Sequence, residues 1–322
     1  MKKMWIGFVI FLCAAVVIGV ASASYARRYN YGAIRFLGGI GMVELRNTEE
    51  FAAEDIDNIE IAYSSENIIL YKADADKIII KEYLHRNRKG DSRIEKEGNT
   101  LHVKKLEGFH EIYLFGFPLG MERVEVYLPE SYNKNINIET SSGNIKAESD
   151  YDFNECHLLA RSGNISCNEV SASELTATAS SGNISFHKAE GTRKIVTSSG
   201  NIRLDGGAGD TEVAASSGNI AVKGASGSLK AMARSGNINV EFDQLGTKVE
   251  AEASSGNIRL TIPEGSAFSY EANASSGLIN TDFDESLSYN KKGNRASGTH
   301  GNNVQTAIET TTSSGNTSVK FR

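Results

Sequence analysis

Residues 180–204 read SSGNISFHKAEGTRKIVTSSGNIRL. The phrase Ser-Ser-Gly-Asn-Ile opens this stretch and returns 18 residues later. Seven glycines, Gly143, Gly163, Gly182, Gly200, Gly218, Gly236 and Gly256, each lead into Asn and Ile. The asparagines are Asn144, Asn164, Asn183, Asn201, Asn219, Asn237 and Asn257. Two further copies are degenerate: Gly277 is followed by Leu278, and Gly315-Asn316 by Thr317. Most steps between copies are 18 to 21 residues, while the last is 38 and contains Ser297-Gly298 as an eroded copy. An earlier trace is Ser64-Ser65-Glu66-Asn67-Ile68, with Glu66 in the glycine place.

The neighbours of each glycine explain the repeat. Ile184 and Phe186 follow Gly182 at two and four positions, with Ser185 between them. Ile202 and Leu204 follow Gly200 in the same way, around Arg203. Such apolar/polar alternation marks a half-buried strand. Before the glycine, small residues such as Ala160, Ala179 and Ala215 hold the third position back, and polar residues such as Thr176, Lys194 and Glu212 the sixth. Each unit is therefore a strand, a tight Ser-Gly-Asn corner and another strand. Glycine reaches positive φ cheaply and Asn tolerates the left-handed region, so the corner reads as a backbone requirement. A unit of this size cannot bury its apolar side alone, so neighbours must stack. The expected fold is all-β: a single-stranded, β-helix-like solenoid of 18–21-residue coils, preceded by one N-terminal hydrophobic helix. Nine or ten coils would give a rod roughly 45 Å long, with the corner asparagines in a ladder. Separate hairpins in an antiparallel sandwich are the structural alternative.

The 322 residues carry a formal charge of −6, which leaves no electrostatic footprint for nucleic acid. Glycine is abundant at 31 and proline scarce at 3, a composition of tight turns in ordered β structure. Residues 5–21, WIGFVIFLCAAVVIGVA, are apolar and follow two lysines. The run suits either a short signal anchor, slightly favoured, or a signal peptide cleaved near Ala23. The expected segments are 1–25, anchor or signal peptide; 26–54, linker; 55–130, irregular N-terminal β region or cap; and 131–322, repeat solenoid. Contact with the membrane is expected through residues 5–23, with the rest outside the cytoplasm.

No GxSxG, HExxH or P-loop pattern occurs, and His85, His102, His110, His157, His187 and His300 are scattered. No metal or cofactor is expected. Glu139, Glu250, Glu252 and Glu271 are the candidate carboxylates for polysaccharide chemistry, which needs them grouped on one face. Cys156 and Cys167 could form one disulfide or be small buried hydrophobes. The basic stretch from Lys81 to Lys105 is interleaved with acids and reads as a solvated surface or as contact with anionic lipid or wall polymer. Phe109, Tyr113, Phe115 and Phe117 read as core or cap, or as a sugar-stacking or membrane-facing loop.

The order of an apolar segment, Ile-x-Ile strands, Leu128-Pro129 and tandem Ser-Gly-Asn-Ile units resembles a bacterial family of adhesin-like proteins of unknown function, which includes LiaG-like membrane-anchored proteins. The resemblance spans about residues 55–322 and implies a β-solenoid at the cell envelope with no catalytic motif to carry over. Where many members of that family have Asp after the glycine, this chain has Asn. The expected function is a non-enzymatic surface scaffold or envelope-stress-related binding module, with cell-wall polymer, lipid head groups or envelope proteins as partners. A polysaccharide-active enzyme and a self-assembling element are the alternatives.

Overall fold

Strand Ile165–Ala179 alternates buried and outward residues almost along its whole length. Ile165, Cys167, Val170, Ala172, Leu175, Ala177 and Ala179 point inward. The alternation breaks at Glu169 and again at Ser173-Glu174, where the chain turns about the axis. The next coil, Ile184–Ser199, repeats this and pairs with it in parallel, Ile165 opposite Ile184 and Ala177 opposite Ile195. Parallel stacking of successive coils is a solenoid, and the hairpin sandwich is not formed. The computed structural model describes residues 43–85, 92–105 and 121–322. The expected N-terminal hydrophobic helix, His110, and the aromatic run from Phe109 to Phe117 lie outside these residues. Among the described residues no helix is long and apolar enough to cross a membrane.

Ile68, Ile145, Ile165, Ile184, Ile202, Ile220, Ile238 and Ile258 are each at most 1% exposed and form one continuous inner row. Full burial of each contributes about 1.5–3 kcal/mol relative to exposure. Where the third position before a glycine is Thr instead of Ala, the hydroxyl finds a partner. Thr197 donates to the carbonyl of Gly182 at 3.0 Å, and Thr312 to that of Gly256 at 3.1 Å. One cation also faces inward. Arg193 stands between Leu175 and Thr211 in its row and is 3% exposed. Its guanidinium donates to the carbonyls of Ala189 and Gly209. Burial pushes its pKa down to about 10, so it stays charged at neutral pH.

The spatial order of coils departs from chain order at both ends. At the start, Asn58–Tyr63 pairs with Asn135–Thr140 on one side and Thr100–Lys105 on the other. Asn67–Ala73 lies likewise between Ile145–Ala147 and Arg123–Pro129. The trace at 64–68 is thus a genuine coil, second in the stack. Val43–Ala52 and Lys77–His85 add antiparallel strands outside it. At the far end, Thr306–Ser314 inserts between Ile238–Ser255 and Phe268–Ser276. Thr317–Phe321 inserts between Ile258–Ile262 and Ile279–Thr281. The last coil in sequence is therefore the second from the end in space.

This insertion corrects the reading of the 38-residue step. Ser297-Gly298 is not an eroded corner. It lies in Arg295–His300, which runs antiparallel along Phe268–Ser276 and caps it. Phe268, Tyr270, Phe283, His300 and Phe321 pack edge-to-face and tilted against one another and close this end of the core.

Candidate functional site

The corner glycines are needed for space, not for a left-handed turn. A Cβ on Gly163 would lie 1.7 Å from the carbonyl oxygen of Gly143, and one on Gly218 1.8 Å from that of Gly200. Gly143, Gly163, Gly182 and Gly200 take no positive φ; Gly218, Gly236 and Gly256 sit at 158–159°, close to fully extended. The corner asparagines are not left-handed either, since Asn303 is the one non-glycine residue with positive φ among those described. Their task is the ladder. The backbone N–H of Asn164 donates to Oδ1 of Asn144 at 2.9 Å, Asn183 to Asn164, Asn201 to Asn183, and so on to Asn257 on Asn237. Asn67 opens the ladder under Asn144, and Asn316 continues it from Asn257. Leu278 ends it: its N–H donates to Asn316 Oδ1 and its side chain offers no acceptor.

The ladder allows a direct test. Asn219→Leu removes the acceptor used by the N–H of Asn237 and should cost about 1 kcal/mol in urea unfolding. Asn219→Asp keeps an acceptor and should cost less than half as much. Equal losses would mean the amide ladder does not hold the corner. The serines beside it differ: Ser181, Ser199, Ser217, Ser235 and Ser255 are exposed. Among the described residues their hydroxyls make no hydrogen bond.

The candidate carboxylates fall in two places: Glu139 lies apart, while Glu250 and Glu271 share one outward row with Glu309 between them. Glu139 lies on Asn135–Thr140 and is paired with Arg161 at 3.0 Å. Glu250 and Glu252 lie on Ile238–Ser255, at the other end of the stack. Glu250 is paired with Lys248 at 3.3 Å, and Glu271 stands two strands beyond it, past Glu309. His102 lies beside Glu60, His157 beside Glu155, and His300 stacks on Phe268. No group of three or more His, Cys, Asp or Glu suited to a metal ion occurs among the described residues. Cys156 and Cys167 are free and buried. Burial pushes the Cys167 thiol up to about 12 and Cys156 well above its ordinary value. With Cys13 replaced by Ser, a thiol reagent at neutral pH should label neither in the folded protein and both after unfolding. Rapid labelling of the folded protein would contradict this burial.

The outward face of the N-terminal coils gathers aromatic and basic side chains. Three tyrosines stand on neighbouring strands: Tyr71 on Asn67–Ala73, Tyr127 on Arg123–Pro129 and Tyr83 on Lys77–His85. Tyr71 and Tyr127 stack with centroids 5.2 Å apart. Lys81 sits 4.5 Å over the Tyr127 ring, and Arg123 3.9 Å over that of Tyr83. Glu125 accepts from Arg123 Nε at 2.7 Å and from the Tyr127 hydroxyl at 3.0 Å. Burial, with the Glu125 carboxylate second, pushes Tyr127 up to about 12. The hydrogen bond to Glu125 raises Arg123. Both groups therefore keep their neutral-pH forms far into the alkaline range. Sequence reasoning placed Lys81 in a basic stretch read as a solvated surface or as contact with anionic lipid or wall polymer, and missed the tyrosines, which come from three separated segments.

A family model described as Toastrack DUF4097 matches residues 56–320. Among solved structures, the chain is similar to a candidate adhesin from Bacteroides fragilis at 13% identity, covering 87% of this chain and 97% of that one, with a TM-score of 0.44. It is also similar to a candidate adhesin from Parabacteroides distasonis at 12% identity, covering 89% and 100%, with a TM-score of 0.42. No curated protein matches.

Proposed function

This chain belongs to the Toastrack DUF4097 family, and we propose that it is a non-enzymatic, adhesin-like scaffold of the bacterial cell envelope. In this reading residues 5–23 hold it at the membrane and the solenoid stands outside the cytoplasm. The observation that carries the reading is the division of labour within each repeat. Glycine gives close approach, asparagine the ladder and isoleucine the core, which leaves only outward side chains to meet a partner. Those side chains sit on a rigid stack, and two of the candidate carboxylates there are held in ion pairs, Glu139 with Arg161 and Glu250 with Lys248.

The test uses the full chain, immobilised in detergent, as bait against peptidoglycan, teichoic acid, lipid vesicles and envelope proteins. Salt-sensitive retention of at least one of these is expected, without turnover. If nothing is retained, the adhesin-like reading fails. Turnover of a wall polymer that a single point substitution abolishes would replace it with an enzyme.

A further inference from the structure

We propose that the tyrosine-and-cation face of the N-terminal coils rests on an anionic lipid surface. The proposal rests on the membrane tether of the preceding section and adds to it which surface of the solenoid the bilayer meets.

Three observations carry it. The first is charge. Four carboxylates here are ion-paired: Glu125 with Arg123, Glu148 with Lys146 at 2.5 Å, Glu50 with Lys77 at 2.9 Å and Glu44 with Arg46 at 3.0 Å. Lys81 is held over a tyrosine ring instead, and Lys72 lies 5.6 Å over the ring of Tyr151. Their charges remain available to an anionic surface, which attracts basic residues close to it. The second is apolar exposure. Leu45 is 50% exposed and lies in register with Tyr83 and Arg123; Met121, two residues before Arg123, is 75% exposed. Tyrosine beside exposed aliphatics and basic residues is the composition of a membrane–water interface. The equivalent outward positions farther along carry Ser166, Ser185, Arg203, Ala221, Asn239, Arg259 and Ser318, so cations recur along this row while tyrosines do not.

The third observation is where the chain enters. Val43–Ala52 is itself part of this face, and the residues before it contain the apolar run 5–21. Residues 22–42 can span at most about 70 Å even when fully extended. A bilayer holding the run therefore lies within reach of this face, where the described chain begins. A flat sugar ring is a poorer occupant. Tyr127 is covered by Tyr71 and Lys81, and Tyr83 by Arg123, so these ring faces are already in use.

The experiment places a fluorophore on the full chain reconstituted in vesicles, with Cys13→Ser and the buried Cys156 and Cys167 left in place. The label goes to Leu45→Cys, with Thr48→Cys as a second site on the same strand and Asn280→Cys as the far-end control. The vesicles carry a nitroxide-headgroup quencher, with phosphatidylglycerol or phosphatidylcholine as the bulk lipid. Quenching is expected at 45 and 48 in phosphatidylglycerol vesicles and not at 280. It should be lost on Lys72→Glu with Lys81→Glu, while the protein still floats with the vesicles. Flotation without quenching at 45 and 48 overturns the lipid face and leaves the tether standing. Absence of flotation removes both. Equal quenching at 45 and 280 also overturns the proposal. So does protection of the 48 label from an aqueous quencher by soluble teichoic acid, which would assign the face to a polymer.

Discussion

Gly218→Ala should destabilise the solenoid by at least about 3 kcal/mol, at or beyond the upper end of ordinary overpacking. The added Cβ would meet the Gly200 carbonyl oxygen at 1.8 Å and its carbon at 2.6 Å. Neither is the far end of a flexible side chain that could swing away. To make room, two coils must separate at the corner. That strains the bond from the N–H of Gly200 to the carbonyl of Ser217 and the rung from Asn219 to Asn201. A second glycine separates this cause from conformational preference. Gly265 sits at φ +77° with open space around its missing Cβ. Gly265→Ala should therefore cost only the left-handed penalty of about 1–2 kcal/mol. Urea unfolding of both variants checks the pair. Similar costs would show that the corner tolerates a Cβ and that the close approach is not what selects glycine.

Deleting residues 304–322 should do far more damage than deleting an equivalent length from the middle. Internal coils contact only their immediate neighbours, so a solenoid can lose one and close up. Removing 218–235 joins Ser217 to Gly236 and preserves every corner in register, since Asn219 and Asn237 are 18 residues apart and occupy equivalent rungs. That shortened protein should remain folded and monomeric. The C-terminal deletion instead removes a coil that has a neighbour on each side. It leaves Ile238–Ser255 and Ile258–Ile262 with open edges and strands Phe268–Ser276 with no parallel partner. It also takes Phe321 from the aromatic group that closes the core. Exposed strand edges invite association. The expected result is protease cleavage beyond about residue 263 and a shift to larger species in size exclusion. A compact monomer resistant to protease would refute the inserted position of the last coil.

The two variants mark different depths of legibility. The corner could be read from the chain because its residues are contiguous and recur. The reason for its glycine could not, because a missing Cβ is required by a carbonyl one coil away. Asn was expected to tolerate a turn and to stack as a ladder; only the ladder is present. Arg193 illustrates the limit most sharply. Between Thr192 and Lys194 it reads as one more exposed charge, yet the register with Leu175 and Thr211 turns it inward. The tyrosine face was invisible for a related reason. Tyr71, Tyr83 and Tyr127 are brought together by one parallel and one antiparallel pairing between segments that the repeat does not connect.

The sequence by itself determined the Ser-Gly-Asn corner, the half-buried strands on either side of it, the isoleucine row and the parallel stack these imply. Each follows from side-chain alternation and from the need of a short unit to bury its apolar face, both of which are local. The tertiary structure alone decided which coil lies beside which at the two ends, and so where the last strand inserts, which charge is buried and which tyrosines share a face. Those are matters of register between distant segments, where the energy lies in pairing and packing across the stack and leaves no periodic trace in the chain.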